Sequence, residues 1–257
     1  MRCLLVSDLH YTLRQYDWVL SIADRFDLIV IAGDHLDISS TVDIRAQITV
    51  ILAYLKRLSA KTRVLVCSGN HDLDARNDAN EKYARWISRA HLIGVPTDDD
   101  SLSIDGTLFT ICPWWDGPKR CAHVREQLER DSQKAKGSWV WVYHAPPDES
   151  PTSWAGRQHF GDVELLQWIQ HYSPDVVLTG HIHQAPFKPR GSWVDRIGST
   201  WVFNSGRQIG PCPTHVILDT NEHSAMWFSL AGAEIVSLDQ PLSRPVPELS
   251  ELPDWLI

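Results

Sequence analysis

A chain of 257 residues, 43% hydrophobic and 22% charged, is long enough to bury one sizeable α/β core and is neither disordered nor fibrous in composition. Its formal net charge of −8 excludes a protein that tracks long nucleic acid by its own surface field, which needs a basic face. No apolar run approaches the ~18 residues of a membrane span, Met1–Val6 shows no signal-peptide pattern, and Cys3, Cys67, Cys112, Cys121 and Cys212 lack Cys-x-x-Cys spacing; a cytoplasmic protein with free thiols is expected.

Short runs of Val, Ile and Leu open the chain. Cys3–Val6, Leu28–Ala32 and Val64–Cys67 read as parallel strands buried on both faces. Between them, Gln15–Arg25 and Val42–Leu58 carry apolar residues at three- and four-residue spacing, so the first third predicts a βαβαβ unit. A third helix is expected around Ala79–Ala90. Ser101–Ile111 then alternates about Asp105-Gly106, the short-range mark of a β-hairpin. A polar helix near Lys119–Lys136 follows, then a strand at Ser138–Tyr143, a helix at Val163–His171 and, after Pro174, a strand at Val176–Leu178.

From Trp193 to Leu238, short strands and turns read as antiparallel. A parallel first half and an antiparallel second half would share one core over residues 1–239, with no repeat and no dividing linker. In the tail, residues 240–257, Pro241, Pro245, Pro247 and Pro253 exclude regular helix or central strand. The tail is expected to pack Trp255, Leu256 and Ile257 on its own domain, with partner binding as the alternative.

Five strand candidates end in groups able to bind metal. Cys3–Val6 runs into Ser7-Asp8-Leu9-His10, Leu28–Ala32 into Gly33-Asp34, and Val64–Cys67 into Ser68-Gly69-Asn70-His71-Asp72; Trp139–Tyr143 ends at His144, and Val176–Thr179 at Gly180-His181-Ile182-His183. Loops beyond the carboxyl ends of neighbouring strands face one crevice in such sheets, so residues far apart in sequence can converge. Gly33, Gly69 and Gly180 each precede a candidate ligand, where a residue without Cβ lets the chain turn off a strand. Carboxylate, amide and imidazole donors without thiolate suit Mn, Fe, Zn or Co, and seven donors are about right for two ions sharing a carboxylate.

Asp8-x-His10, Gly33-Asp34, Gly69-Asn70-His71-Asp72, His144 and Gly180-His181-x-His183, taken as an ordered set, resemble the calcineurin-like metallophosphoesterase superfamily over roughly residues 1–206. The resemblance implies a four-layer α/β/β/α sandwich, two mixed sheets flanked by helices. It implies that Asp8, His10, Asp34 and His183 hold one divalent ion and that Asp34, Asn70, His144 and His181 hold the other, with Asp34 shared. It further implies that His71 is a general acid aimed at the leaving group, that Asp72 orients the His71 ring, and that a hydroxide between the two ions attacks phosphorus in line.

The segment His144-Ala145-Pro146-Pro147 resembles the His-x-Pro-Pro variant of some phosphodiesterase branches, which favours a phosphodiester or a nucleotide-like small molecule as substrate. Phosphomonoesters including phosphoproteins, DNA as in the nuclease branch, and a non-catalytic binding role are the rivals. Asn204-Ser205-Gly206 looks like the family's Asn-Pro-Gly turn with serine in place of proline, and His35 reads as loop-exposed. Trp114, Trp115 and Trp154 lie in Pro- and Gly-bearing loops where they could stack on a base or aryl group, and Arg157 and Arg207 where they could clamp phosphate. His91, His123, His159, His171, His215 and His223 read as surface or half-buried histidines without a role.

Overall fold

The computed structural model describes residues 1–249. In chain order its elements are β1 (Arg2–Val6), α1 (Leu13–Ile22), β2 (Leu28–Ala32), α2 (Ile44–Ser59), β3 (Arg63–Cys67), a short ribbon of β4 (Ala75–Arg76) and β5 (Lys82–Tyr83), and a 3-10 helix over Trp86–Ile93. Then come β6 (Ser101–Ile104), β7 (Thr107–Ile111), α3 (Pro118–Ser132), β8 (Trp139–Val142), α4 (Val163–Tyr172), β9 (Val176–Thr179), β10 (Val194–Ile197), β11 (Thr200–Asn204), β12 (His215–Asp219), β13 (Ser224–Ser229) and β14 (Gly232–Ser237). One six-stranded sheet runs β14-β13-β12-β1-β2-β3 and the other β10-β11-β9-β8-β7-β6.

Side chains that alternate along the central strands account for the four layers. In the first sheet Leu4, Val6, Ile29, Ile31, Val64 and Val66 face the helices and pack with Val19 of α1 and Ile51 and Leu55 of α2. Their neighbours Cys3, Leu5, Leu28, Val30, Leu65 and Cys67 point the other way, into a core shared with Phe109, Ile111, Val140, Val142, Leu178 and Phe203 of the second sheet. On that sheet's far face Trp139, Trp141, Val177 and Val202 pack with α3 and α4 through Val124, Leu128, Leu165 and Ile169. The central strands β1, β2, β3, β8 and β9 are covered on both faces, which is why they read as apolar runs rather than alternating ones. No helix of the described residues is long and apolar enough to cross a membrane.

The sequence reading holds for the first three strands, for α1 to α4 and for the hairpin, whose Asp105 (φ 48°) and Gly106 (φ 85°) both take the left-handed conformation that a two-residue hairpin turn needs. It fails at the helix expected over Ala79–Ala90. There Asn77 Oδ1 accepts from the backbone N–H of Ala79 (3.0 Å) and Glu81 (3.0 Å), and Asn80 sits at φ 63°, so a side-chain amide takes the donors a helix would need and makes a turn instead. Helical backbone starts only at Trp86, whose N–H, like that of Arg85, is capped by Asp74 Oδ1. The second half is not wholly antiparallel either: β11 lies parallel to β9, with Val202 opposite Val177.

Two histidines also depart from expectation. His35 is fully buried, its ring held between Tyr16 Oη (3.2 Å from Nδ1) and the Cys67 carbonyl (3.0 Å from Nε2), so it is a post inside the first sheet's loops. His215 is 1% exposed, lies against Trp18 and Phe228, donates from Nδ1 to the Pro213 carbonyl at 2.9 Å and leaves Nε2 without a partner. Burial pushes its pKa down to about 4. Between that value and the ~6.5 of an unfolded histidine, the unfolded chain binds more protons than the folded one. Stability is therefore intact above the unfolded value and falls with pH down to the folded one, by up to about 3 kcal/mol. His215→Phe should remove that part of the slope. Melting curves of the two proteins between pH 7 and 4 test this, and parallel declines would exonerate His215.

Of the tail, Leu242 and Val246 pack on the inter-sheet core, and Leu249 N–H bonds the Ala233 carbonyl at 2.8 Å. Pro253, Trp255, Leu256 and Ile257 lie outside the described residues. All five cysteines are free, with Cys3, Cys67 and Cys112 buried.

Candidate metal centre

The loops after β1, β2, β3, β8 and β9 meet at one end of the sandwich. The first two are laced together: Asp8 N–H bonds the Gly33 carbonyl (3.1 Å), His10 N–H the Asp34 carbonyl (2.9 Å) and Tyr11 N–H the His35 carbonyl (2.9 Å). The Gly180 N–H bonds the His144 carbonyl at 2.8 Å, which ties the β9 loop to the β8 end. Asp8, His10, Tyr11, Asp34 and His181 all have positive φ, between 40° and 67°. Non-glycine residues pay roughly 1–3 kcal/mol each for such backbone, and here the lacing holds them in it. Gly33, at φ 83°, backs directly onto His144; a Cβ there would stand 2.4 Å from Nδ1 of that ring.

Each carboxylate spends one oxygen on the protein and presents the other. Asp34 Oδ1 accepts the His71 N–H at 2.8 Å, leaving Oδ2 facing His144 Nε2 (3.3 Å) and His10 Nε2 (3.6 Å). Asp8 Oδ2 accepts the His181 N–H at 2.9 Å and the Ser7 hydroxyl, leaving Oδ1 facing His183 Nε2 (3.1 Å), His10 Nε2 (3.8 Å) and His144 Nε2 (3.8 Å). The ring nitrogens of His10 and His183 stand 3.1 Å apart. Three overlapping donor groups result, Asp8/His10/His183, His10/Asp34/His71 and Asp34/His144/His181, each with its ligand atoms within 4.8 Å of one another. Asp34 and His10 belong to two of them.

Asp8 (0% exposed) and Asp34 (1%) are two buried carboxylates, and buried negative charge demands a positive counterpart. Burial alone would raise the Asp8 pKa, but His144 and His183 outweigh it and hold the group below the usual carboxylate range. Burial likewise opposes charge on His144, yet Asp34 and Asp8 overcome it and raise that ring to about 9. Burial wins at His10 and His181, both lowered to about 4. His144 donates from Nδ1 to the Ala32 carbonyl at 2.7 Å, which turns Nε2 inward. That Nε2 and Asn70 Oδ1 are buried with no hydrogen-bond partner, and buried polar atoms are seldom left so.

Six of the seven sequence-predicted donors, Asp8, His10, Asp34, His144, His181 and His183, thus surround one small volume, and the seventh, Asn70, lies next to His71 in the chain with its Oδ1 buried and unpartnered. Asp72 differs from expectation. Its Oδ2 accepts from Gly69 (2.8 Å) and His35 (3.3 Å) and its Oδ1 from Leu36 (3.0 Å), so it clamps two loops together and does not orient the His71 ring, whose Nδ1 has no partner. The ring of His71 lies 4.5 Å from that of His10.

Among the residues proposed for substrate, Trp114 lies over the cluster, its ring 5.2 Å from His181 and 5.7 Å from His144. Arg207 hydrogen-bonds the His183 carbonyl through its N–H at 3.0 Å, and its charge acts on His10. Trp115 instead stacks flat on Tyr143 (4.2 Å), Trp154 is buried between Arg190 and His159, and Arg157 is exposed on a loop tip. Sequence reasoning gave Ser205 no role beyond its turn and passed over Asp98. Asp98 binds Ser68 through both oxygens (2.7 and 2.6 Å) and Ser68 Oγ accepts the Trp114 N–H (3.0 Å), so the aromatic over the cluster is anchored through the β3 loop.

The family pattern described as calcineurin-like phosphoesterase matches residues 1–185. No curated protein sequence matches the chain. Among solved structures it is similar to the TT1561 protein of Thermus thermophilus (15% identity, TM-score 0.59, covering 92% of this chain and 98% of that one). It is also similar to a purple acid phosphatase of yellow lupin, Lupinus luteus (11%, 0.56, covering 96% and 53%), and to a dimetal phosphatase of Danio rerio (13%, 0.54, covering 88% and 95%). At these identities the likeness establishes the two-sheet sandwich.

Proposed function

Because the chain belongs to the calcineurin-like phosphoesterase family, we propose that it is a dinuclear metal phosphoesterase acting on a phosphodiester or a nucleotide-like small molecule. The observation that carries this reading is the donor set itself: two buried carboxylates, each with one oxygen presented, among imidazole and amide atoms left without partners. Asp8, His10, Asp34 and His183 would hold one cation and Asp34, Asn70, His144 and His181 the other. The overlap of donor groups at Asp34 supports its sharing. Bound there, two divalent cations would supply Lewis acidity, offsetting phosphate charge and lowering the pKa of water at the site.

The chain's own residues do the rest. The +4 of two such ions would exceed the charge of Asp8 and Asp34, so an acidic protein would offer phosphate a cationic pocket. His71, half-buried and not engaged by Asp72, delivers the proton to the departing oxygen. Arg207 meets a phosphate oxygen, and Trp114 packs against the substrate's organic part.

Metal-stripped protein reconstituted with Mn²⁺ should turn over an aryl phosphodiester faster than the matching aryl phosphomonoester, and neither without metal. A strong monoester preference would overturn the diester assignment, and protein that neither binds Mn²⁺ nor turns over would point to a binding module. His71→Ala should keep both metals by elemental analysis yet lose about 10²- to 10⁴-fold in turnover, more for alkyl than for aryl leaving groups. An equal loss across leaving groups would remove His71 as the acid.

A further inference from the structure

Asp34 is pinned by a single backbone N–H, but the hold on Asp8 extends further. Ser7 directs its hydroxyl hydrogen to Asp8 Oδ2, which leaves its oxygen able to accept, and Ser205 Oγ stands 2.7 Å away. Ser205 Oγ also lies 3.4 Å from the Gly206 carbonyl, which already accepts the Thr214 hydroxyl at 2.7 Å; the nearer Ser7 oxygen takes the Ser205 hydrogen, and Ser7 donates to Asp8. Ser7 is 2% exposed and Ser205 and Asp8 are 0% exposed, so water does not compete for these hydrogens. Ser205 is itself fixed. Its carbonyl accepts Trp227 Nε1–H at 3.0 Å, and the Asn204 amide beside it donates to the carbonyls of Thr152 (2.8 Å) and Ile182 (3.2 Å) while its Oδ1 accepts the Gly206 N–H (2.8 Å).

The geometry points to Ser205 as a positioning residue for the cation at Asp8, acting through Ser7. This rests on the dinuclear reading above. With two donors on Oδ2, from Ser7 and from the His181 N–H, the carboxylate cannot turn about Cβ–Cγ without losing both, and Oδ1 stays directed at His183 and His10. Hydroxyls bonded in series polarise one another, so the donor at Ser205 strengthens the bond Ser7 makes. Asp34, Asn70 and His181 make no side-chain hydrogen bond with this pair among the described residues, so the two cation positions respond differently when the relay is cut.

The test is a two-site Mn²⁺ titration of the metal-stripped full-length protein by calorimetry. Ser205→Ala should weaken one of the two binding constants about 10-fold and Ser7→Ala the same one by about 10- to 100-fold, in the range of lost hydrogen bonds to metal ligands. The other constant should hold, and the melting temperatures of the stripped variants should stay within a few degrees of the parent. Because the relay is serial, the double variant Ser7→Ala/Ser205→Ala should bind no more weakly than Ser7→Ala alone. Unchanged constants in Ser205→Ala, additive losses in the double variant, or equal weakening at both positions with a fall in melting temperature would each overturn the relay. A parent protein that takes up no Mn²⁺ would overturn the dinuclear reading along with it; a parent that binds two ions beside an unaffected variant overturns the relay alone.

Discussion

Asp34→Asn should empty both cation positions together and lower phosphoesterase turnover by more than about 10³-fold, since stabilisation by a metal pair is worth several kcal/mol and each 1.4 kcal/mol or so is tenfold in rate. Asparagine keeps the size of the side chain and can still accept the His71 N–H through its carbonyl oxygen. What changes is the second atom. Where Oδ2 now faces His144 and His10, an amide would carry hydrogens and no charge, toward positions that need a lone pair. Asp8→Asn is the informative control, because Asp8 contributes to one donor group and Asp34 to two. Elemental analysis should find one metal retained in Asp8→Asn and none in Asp34→Asn. If Asp34→Asn retained a full metal complement, its shared role would be wrong.

Gly33→Ala should do comparable damage without replacing any candidate ligand. The residue sits at φ 83°, so any side chain costs about 1–2 kcal/mol in backbone strain. The added Cβ would also stand 2.4 to 2.9 Å from three atoms of the His144 side chain, which cannot retreat without breaking its 2.7 Å bond to the Ala32 carbonyl. Gly106→Ala separates the two effects, since Gly106 has almost the same φ of 85° but nothing within 4 Å of its would-be Cβ. The expected result is a loss of about 1 kcal/mol for Gly106→Ala with full metal content, and a loss of about 3 kcal/mol or more for Gly33→Ala, with the His144 cation gone. Equal destabilisation by the two variants would mean that His144 has room to move.

What could be read in advance divides along physical lines. The strands β1, β2 and β3 and the polar groups at their ends were legible because both depend on local chemistry: doubly covered strands are apolar along their buried length, and candidate donors sit in the loops where such strands stop. The fate of an individual histidine was not. His35 and His215 are buried because Tyr16, Cys67, Trp18 and Phe228 arrive from elsewhere in the chain. The helix expected over Ala79–Ala90 failed for the opposite reason, a local one that periodicity does not register, namely the Asn77 side chain turning the backbone on itself. Asp72 followed the family expectation in type but not in contact, because three backbone N–H groups reach its carboxylate before the His71 ring does. Nothing in a one-dimensional pattern pairs Ser7 with Ser205.

The position of β1 within its sheet has a consequence for how the protein is made. It lies between β2, its near neighbour in sequence, and β12, with Cys3 opposite Leu218. β1 therefore leaves the ribosome long before β12, its second edge stays uncovered until then, and such distant pairings slow folding because a long loop must close first. Asp8, His10, Asp34 and Asn70 emerge well ahead of His144, His181 and His183, so the nascent chain carries half a chelating site for much of its synthesis. On the dinuclear reading proposed above, stable cation uptake would accordingly be a late event, coupled to closure of the sandwich rather than preceding it.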